Sequence, residues 1–136
     1  MMYGCENMNL EELINELDKK VNKAKEELLK AYIEKIRVLT SKLKEQVPEI
    51  KSMTIVVDDQ SEDLETSIYV DLTTGEREVD IYDIPKLNDI ARRIVTEIDN
   101  TASTMARMFL LEKIPERLFN EPIPTRFKFL SELEEE

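Results

Sequence analysis

The sequence predicts an α+β fold of order α-β-β-β-α, with two long amphipathic helices packed on one face of a three-stranded antiparallel sheet and a C-terminal extension. Apolar residues recur every three or four positions before residue 48 and after residue 85, whereas they alternate with polar residues in between. Pro48 and Pro85 separate these patterns. We expect one domain over residues 9–115, after a disordered start at 1–8 and before a proline-punctuated extension at 116–136.

The first helix is predicted over residues 9–47. Asn9 and Glu12 have the spacing of a capping box, and Pro48 cannot continue a helix. The apolar stripe has a mean spacing of about 3.7 residues, closer to a straight helix than to a left-handed coiled coil. Its members are Leu10, Ile14, Leu17, Val21, Ala24, Leu28, Tyr32, Ile36, Leu39 and Leu43. Such a helix is about 57 Å long and a compact chain of this size roughly 30 Å across, so the helix breaks or its overhang packs on another chain.

Three strands are predicted near residues 53–58, 66–72 and 77–82, where apolar and polar residues alternate. The acidic segment 58–65 between the first two strands is expected to be a mobile, solvated loop, because blocks of like charge repel. An EF-hand loop counted from Asp58 needs glycine at its sixth position and glutamate at its twelfth. Those positions hold Asp63 and Tyr69, so the calcium motif is absent.

Two registers are open for the second and third strands. Gly75 can supply the positive φ that a tight connection requires. One register places Val70 opposite Val79. A three-residue loop with a glycine bulge instead pairs Leu72 with Glu76 and mixes the two faces of the sheet.

The first register gives the outer face of the sheet a definite chemistry. It places Asp71 opposite Glu78, Tyr69 opposite Asp80, and Ser67 opposite Tyr82. Three interpretations of this face are open: a solvated surface that charge protects from edge aggregation, a docking surface for a basic partner with the tyrosines as anchors, or a divalent-cation site.

The second helix is predicted over residues 85–114. Asp83 is placed to cap it, and Pro85 suits the first turn. Weak helix formers occupy residues 99–104. A continuous helix is favoured over a kink there, because the helical phase of the apolar residues survives the stretch.

The C-terminal extension contains Phe127 and Phe129, which are too apolar for an inert tail. Two outcomes are open. The segment folds back on the core, or it extends as a peptide that adds to a groove or sheet edge of another protein. Core packing is favoured, because terminal segments are ordered only when they are tied down.

Composition excludes many functions. The chain has no histidine, two glycines and the single cysteine Cys5, which removes the usual zinc sites, histidine-based nucleophiles and glycine-rich nucleotide loops. We therefore expect no cofactor and no enzymatic activity. No apolar run reaches about 18 residues. A cytoplasmic protein that binds no membrane is expected, and the Glu- and Lys-rich composition fits a thermophilic source as well as a mesophilic one.

Charge locates a binding surface. Of the net charge of −11, residues 52–84 carry −9, with ten acidic residues against Arg77. An acidic chain does not bind nucleic acid directly, because the phosphate backbone repels it. We expect a homodimer formed through the long helix, and a basic protein partner. The residues expected to bind a partner are Tyr69, Asp71, Glu78, Asp80, Tyr82, Phe127 and Phe129.

These features favour a non-enzymatic interaction or assembly protein. Two alternatives remain. One is an acidic inhibitor that mimics nucleic acid, of the kind that viruses and mobile elements encode. The other is a Mg²⁺- or Ca²⁺-dependent carboxylate enzyme that uses Asp58, Asp59, Glu62 and Asp63.

Overall fold

The structure is a computed structural model that describes residues 9–60, 63–85, 87–109 and 114–131. The chain divides into two compact units, residues 1–31 and 32–136. The start at 1–8, with Cys5, lies outside the described residues. The fold is mixed α+β with two helices packed against a sheet, which confirms the predicted class. The sheet itself has five strands rather than three.

Helix α1 spans Leu10–Gln46 without a break. Both hydrogen bonds of the capping box are present: the Glu12 N–H donates to Asn9 Oδ1 at 2.8 Å, and the Asn9 N–H donates to Glu12 Oε1 at 3.1 Å. The helix ends two residues before Pro48, as the missing proline N–H requires.

The first unit is represented by residues 10–31 of α1. Its apolar stripe is exposed, with exposed fractions from 37% at Leu28 to 71% at Leu10. The other exposed members are Ile14, Leu17 and Val21. A stripe of this kind normally faces a core, so its exposure is the main unexplained feature of this unit.

The second unit begins its sheet with a long hairpin. Strand β1 spans Ile50–Gln60, and β2 spans Asp63–Leu72 in antiparallel pairing with it. The prediction of a loop over the acidic segment 58–65 is wrong. Asp58 pairs with Glu65 and Gln60 pairs with Asp63, so β1 and β2 extend into this segment from its two sides. Residues 61 and 62, including Glu62, lie outside the described residues.

Strand β3 is only Val79–Asp80, shorter than the predicted 77–82. Val70 pairs with Val79, which confirms the first of the two registers at this point. The chain then leaves the sheet in a 3₁₀ turn, Ile81–Asp83, capped by the Asp80 side chain. Tyr82 therefore does not lie opposite Ser67 as predicted, because the turn ends the ladder.

The connection between β2 and β3 uses features of both registers. The Leu72 N–H donates to Glu76 O at 2.8 Å, which is the pairing of the glycine-bulge alternative. Glu78 then adopts φ 51°, an uncommon conformation for a residue with a side chain. Because this left-handed residue adds one position to the returning chain, the register has shifted by one residue at Val79.

Helix α2 spans Asp89–Phe109, so its start was predicted four residues too early. Asn88, not Asp83, caps it: Asn88 Oδ1 accepts the Ala91 N–H at 2.8 Å. The helix is continuous through residues 99–104, the favoured alternative. Residues 110–113 lie outside the described residues.

The C-terminal part of α1 runs antiparallel to α2. At one end, Asn88 Nδ2 donates to Gln46 Oε1 at 3.2 Å. At the other end, the rings of Tyr32 and Phe109 meet edge to face with centroids 6.5 Å apart. Both contacts lie within the second unit.

The described part of the predicted extension contributes two strands to the sheet, and residues 132–136 lie outside the described residues. Strand β4 spans Arg117–Phe119, and β5 spans Thr125–Ser131. The strand order is β3-β2-β1-β5-β4, with β5 parallel to β1 and antiparallel to β4. The three-stranded antiparallel sheet was therefore wrong, because the local sequence pattern does not show that β5 returns to pair with β1.

The core lies between the helices and one face of the sheet. β1 and β2 contribute alternate residues to it, and each of these core side chains is less than 9% exposed. The buried apolar residues of these two strands are Ile50, Met53, Ile55, Val57, Ile68, Val70 and Leu72, and β5 adds Phe127. The helix residues include Ile36, Leu43, Ala91, Val95, Ile98, Ala102 and Met105.

Candidate partner-binding site

The opposite face of the sheet, which we call the open face, is half-buried or exposed along its length. It lines a shallow depression of about 560 Å³, together with Glu78. The side chains that form the open face are Ser52, Thr54, Val56, Tyr69, Asp71, Arg126, Lys128 and Leu130. Because strand residues alternate between faces, this is the face that turns away from the core.

One row of paired residues crosses four strands and carries opposite charges at its ends. Thr54 pairs with Arg126 on one side and with Tyr69 on the other, and Tyr69 pairs with Asp80. The row therefore runs from a cation on β5, through a hydroxyl and a phenol, to a carboxylate on β3. This arrangement can contact a partner with charges of both signs.

Asp71 is the most constrained acid on the open face. Its Oδ1 accepts the Glu78 N–H at 2.9 Å, and its Oδ2 accepts the Ser52 hydroxyl at 3.1 Å. The hydrogen bond from the Glu78 backbone is the largest influence that holds the pKa of Asp71 below its ordinary value; burial opposes it, and Ser52 supports it. Asp71 therefore stays ionised and also fixes the turn.

The other predicted acids differ in their availability. Asp80 accepts the Tyr82 N–H at 3.0 Å and is half-buried, so part of its function is structural. Glu78 is exposed and lines the depression. Tyr82 is 40% exposed but lies in the 3₁₀ turn, away from the ladder in which it was expected to share a row with Ser67.

The cations of the open face were missed by the sequence interpretation. Arg126 and Lys128 are exposed on β5, and Arg117 pairs with Arg126 across β4 and β5. Arg117 and Arg126 also line an adjoining depression of about 500 Å³. The alternation of Thr125, Arg126, Phe127, Lys128 and Phe129 is a strand signal that could have indicated a cationic face.

The two phenylalanines proposed to bind a partner point the other way. Phe127 is 4% exposed and belongs to the core, and Phe129, on the same face of β5, is half-buried. The core-packing outcome is therefore observed for Phe127. Contact between Phe127 and a partner would require β5 to leave the sheet.

Most of the metal ligands proposed in the acidic hairpin have side chains outside the described part of the chain. Asp58 lies on the open-face side of β1 opposite Glu65, whereas Asp59 pairs with Leu64. Among the side chains that the structure describes, no group of three acidic or cysteine residues is arranged to hold a metal ion. The side chains of Asp59, Glu62 and Asp63, three of the proposed ligands, lie outside that set.

Among the described residues, no helix is long and apolar enough to cross a membrane. Comparisons with protein-family models, with curated proteins and with solved structures found no match to this chain.

Proposed function

We propose that this chain is a non-enzymatic interaction or assembly protein that presents the open face of its sheet to a partner protein. One observation carries the proposal: the helices cover one face of the sheet, while the other carries a depression with carboxylates on one side and cations on the other. Tyr69 lies half-buried between them, and tyrosine is favoured at interfaces because it offers a large apolar body with a polar tip.

The charges of the open face narrow the class of partner that it can bind. The net charge of residues 52–84 predicts a basic protein partner. Arg126 and Lys128 would repel a basic partner on the β5 side of the open face. We therefore propose a partner that places a basic group against Asp71 and Glu78 and an acidic group against Arg126 and Lys128.

The proposal concerns the face of the sheet and not its edges. The edge strands β3 and β4 contain two and three residues. These short strands pair with only Tyr69 and Val70 of β2 and with Thr125 and Arg126 of β5, so the proposal rests on the charge pattern of the face and not on protection of the edges. The mixed charge also gives less support to a nucleic-acid mimic, which needs acidic groups without cations between them.

The proposal includes a homodimer and a cytoplasmic location. The location rests on the single cysteine, Cys5, which allows no disulfide within one chain. The dimer rests on the length of helix α1 and on the exposed apolar stripe of its first unit.

Affinity purification from a lysate of the source organism tests the proposal. We compare wild-type protein with Arg126→Glu/Lys128→Glu at low salt, and quantify the recovered proteins by mass spectrometry. The matched control is Arg92→Glu/Arg93→Glu, which makes the same change in charge at exposed positions of α2. We expect recovery of the partner to fall about tenfold for the open-face variant and to stay unchanged for the control.

A second variant separates the two halves of the face. Glu78→Lys reverses an exposed charge at the acidic side, and unlike Asp71 it contributes only its backbone N–H to the described structure of the turn. Both variants should weaken the binding of a partner that carries charges of both signs. Equal recovery with wild type, Arg126→Glu/Lys128→Glu and Glu78→Lys would contradict the open face as the binding surface.

A further inference from the structure

The apolar stripe of α1 changes its repeat along the helix. Through the first unit the stripe residues are spaced 4, 3, 4, 3 and 4, which is a heptad repeat; they are Leu10, Ile14, Leu17, Val21, Ala24 and Leu28. Beyond Leu28 the spacing becomes 4, 4, 3 and 4, at Tyr32, Ile36, Leu39 and Leu43. The mean over the whole helix hides this change. It coincides with the boundary between the units, after Ala31.

The two parts of the stripe also differ in burial. In the second unit, Ile36 and Leu43 are 0% exposed. In the first unit, the five large apolar residues of the heptad stripe remain exposed. Residues 10–31 form a stripe about 33 Å long, and helices in proteins gain most of their stability from the packing of such an apolar face. The heptad repeat is the pattern that a two-stranded coiled coil buries.

We propose that residues 10–31 pair with the same segment of a second copy of this chain in an antiparallel two-stranded coiled coil. The inference rests on the homodimer of the proposed function, and it makes no use of the open face. Its partner is a second copy because the stripe is complementary to itself, as a two-fold symmetric interface requires.

The antiparallel register follows from the heptad positions. In this register, the numbers of two facing stripe residues add up to 38. Leu10 therefore packs against Leu28 of the second copy, and Leu17 packs against Val21 of the second copy. Ala24 then faces Ile14, so the smallest side chain of the stripe meets a large one. The two-fold axis repeats each pair, which gives six layers that each contain at least one large apolar side chain.

A parallel pairing is less favourable on two counts. It places Ala24 against Ala24 of the second copy and so leaves one thin layer in the core of the coiled coil. It also places Lys20 beside Lys25 of the second copy, twice over by symmetry. The β-branched Ile14 and Val21 favour a parallel dimer, but the packing and the charges oppose it.

Flanking charges favour the antiparallel arrangement by comparison. Glu11 lies beside Lys25 of the second copy, twice by symmetry, and this pair is attractive. Asp18 and Lys20 each face their own symmetry mate once, and these two pairs are repulsive. Attraction and repulsion therefore balance in the antiparallel dimer, whereas the flanking lysines of the parallel dimer only repel.

Light scattering coupled to size-exclusion chromatography tests the interface at about 100 μM protein, a concentration at which a dimer with a Kd of about 1 μM is almost fully formed. We expect wild-type protein at twice the chain mass of 15.9 kDa and Ile14→Glu/Val21→Glu at the chain mass. The control, Asn15→Glu/Asn22→Glu, adds the same two charges one position further along, on the outer side of the helix, and should stay dimeric. A monomeric wild type, a larger assembly, or a dimeric Ile14→Glu/Val21→Glu overturns the proposal.

Cysteine cross-linking tests the orientation. In a Cys5→Ser background, a mixture of Leu17→Cys and Val21→Cys chains should form a mixed disulfide on mild oxidation, because these positions meet in the antiparallel dimer. Leu17→Cys alone should remain uncross-linked. A disulfide between two Leu17→Cys chains, or none in the mixture, overturns the antiparallel arrangement. Neither assay depends on a partner of the open face. Failure of the coiled-coil proposal is therefore distinguishable from failure of the proposed interaction function.

Discussion

Asp71 joins the sheet to its turn. One carboxylate oxygen holds the backbone of Glu78, and the other holds the hydroxyl of Ser52 on the neighbouring strand. Because Glu78 has a positive φ, its conformation requires support from its surroundings. The side chain that the sequence marks as a binding residue is therefore also a structural residue, and its substitution alone does not test binding.

Asp71→Asn should reduce stability most at neutral pH. The folded-state pKa of Asp71 is lowered, so its ionised form contributes stability above the unfolded value of about 3.9, and this contribution is lost as pH falls through the folded-state pKa. We expect the variant to lose about 1 kcal/mol of unfolding free energy at pH 7. It should differ little from wild type at a pH where Asp71 is protonated in both the folded and the unfolded state. Urea unfolding at neutral and acidic pH measures this.

Asp99→Asn is the control of opposite sign. Burial raises the folded-state pKa of Asp99, so its charge costs stability above that pKa and the cost disappears as pH falls. The asparagine variant should gain at most a few tenths of a kcal/mol at pH 7, because water screens this partly exposed site. A loss at Asp71→Asn that is the same at every pH would contradict the role assigned to its charge.

At the scale of elements, the start of α2 shows how two local signals compete. Asp83 and Pro85 have the expected order of a cap and a first-turn proline, yet α2 begins at Asp89. The chain first makes the 3₁₀ turn capped by Asp80, and it buries Ile84. Burial of this apolar residue decides the path, and a local capping pattern carries no information about it.

Asn88→Ala should destabilise the protein by about 1 kcal/mol, because it removes the acceptor for the Ala91 N–H. Asn88→Asp is the matched comparison: it keeps the acceptor and loses only the donor to Gln46. Urea midpoints at constant slope measure both changes. If Asn88→Asp costs as much as Asn88→Ala, the contact with Gln46 and not the cap is what stabilises this end of the helix.

The sequence predicts elements best where a local rule has no rival. The capping box at Asn9 and Glu12 is made. The pairing of Val70 with Val79 had a rival in the glycine-bulge register, and the structure uses the two registers in succession. The shift between Glu76 and Val79 was not predicted, because it depends on the positive φ of Glu78, for which glutamate has no special preference.

At the scale of the whole molecule, β5 joins parts of the chain that local patterns treat as separate. It lies between β1 and β4, and Ile55 pairs with Phe127 at the centre of the sheet. The prolines of 115–124 made this region resemble an extension. Because the pairing of β5 with β1 was not predicted, the cations of the open face were not predicted either. Arg126 lies beside Thr54, and Lys128 lies beside Val56, only through this pairing.

A chain that ends at Asn120 should therefore fail to fold. It loses the strand that covers one side of β1, and with it the buried Phe127. We expect loss of cooperative thermal unfolding by circular dichroism. Arg126→Gln/Lys128→Gln, which removes two exposed charges from β5 and keeps the strand, should unfold cooperatively. A truncated chain with a native-like transition would show that β5 is dispensable.

The parallel pairing of β1 with β5 also has a kinetic consequence. Met53 pairs with Thr125, so the pairing of β1 with β5 closes about half of the chain into one loop. Contacts of such sequence separation slow folding, because the entropy of closing the loop is lost before the contact stabilises the chain. During synthesis β1 and β2 are complete long before β5 exists. Until then one side of β1 has no partner strand, so a nascent hairpin with an unpaired edge is the species most exposed to aggregation or to chaperone capture.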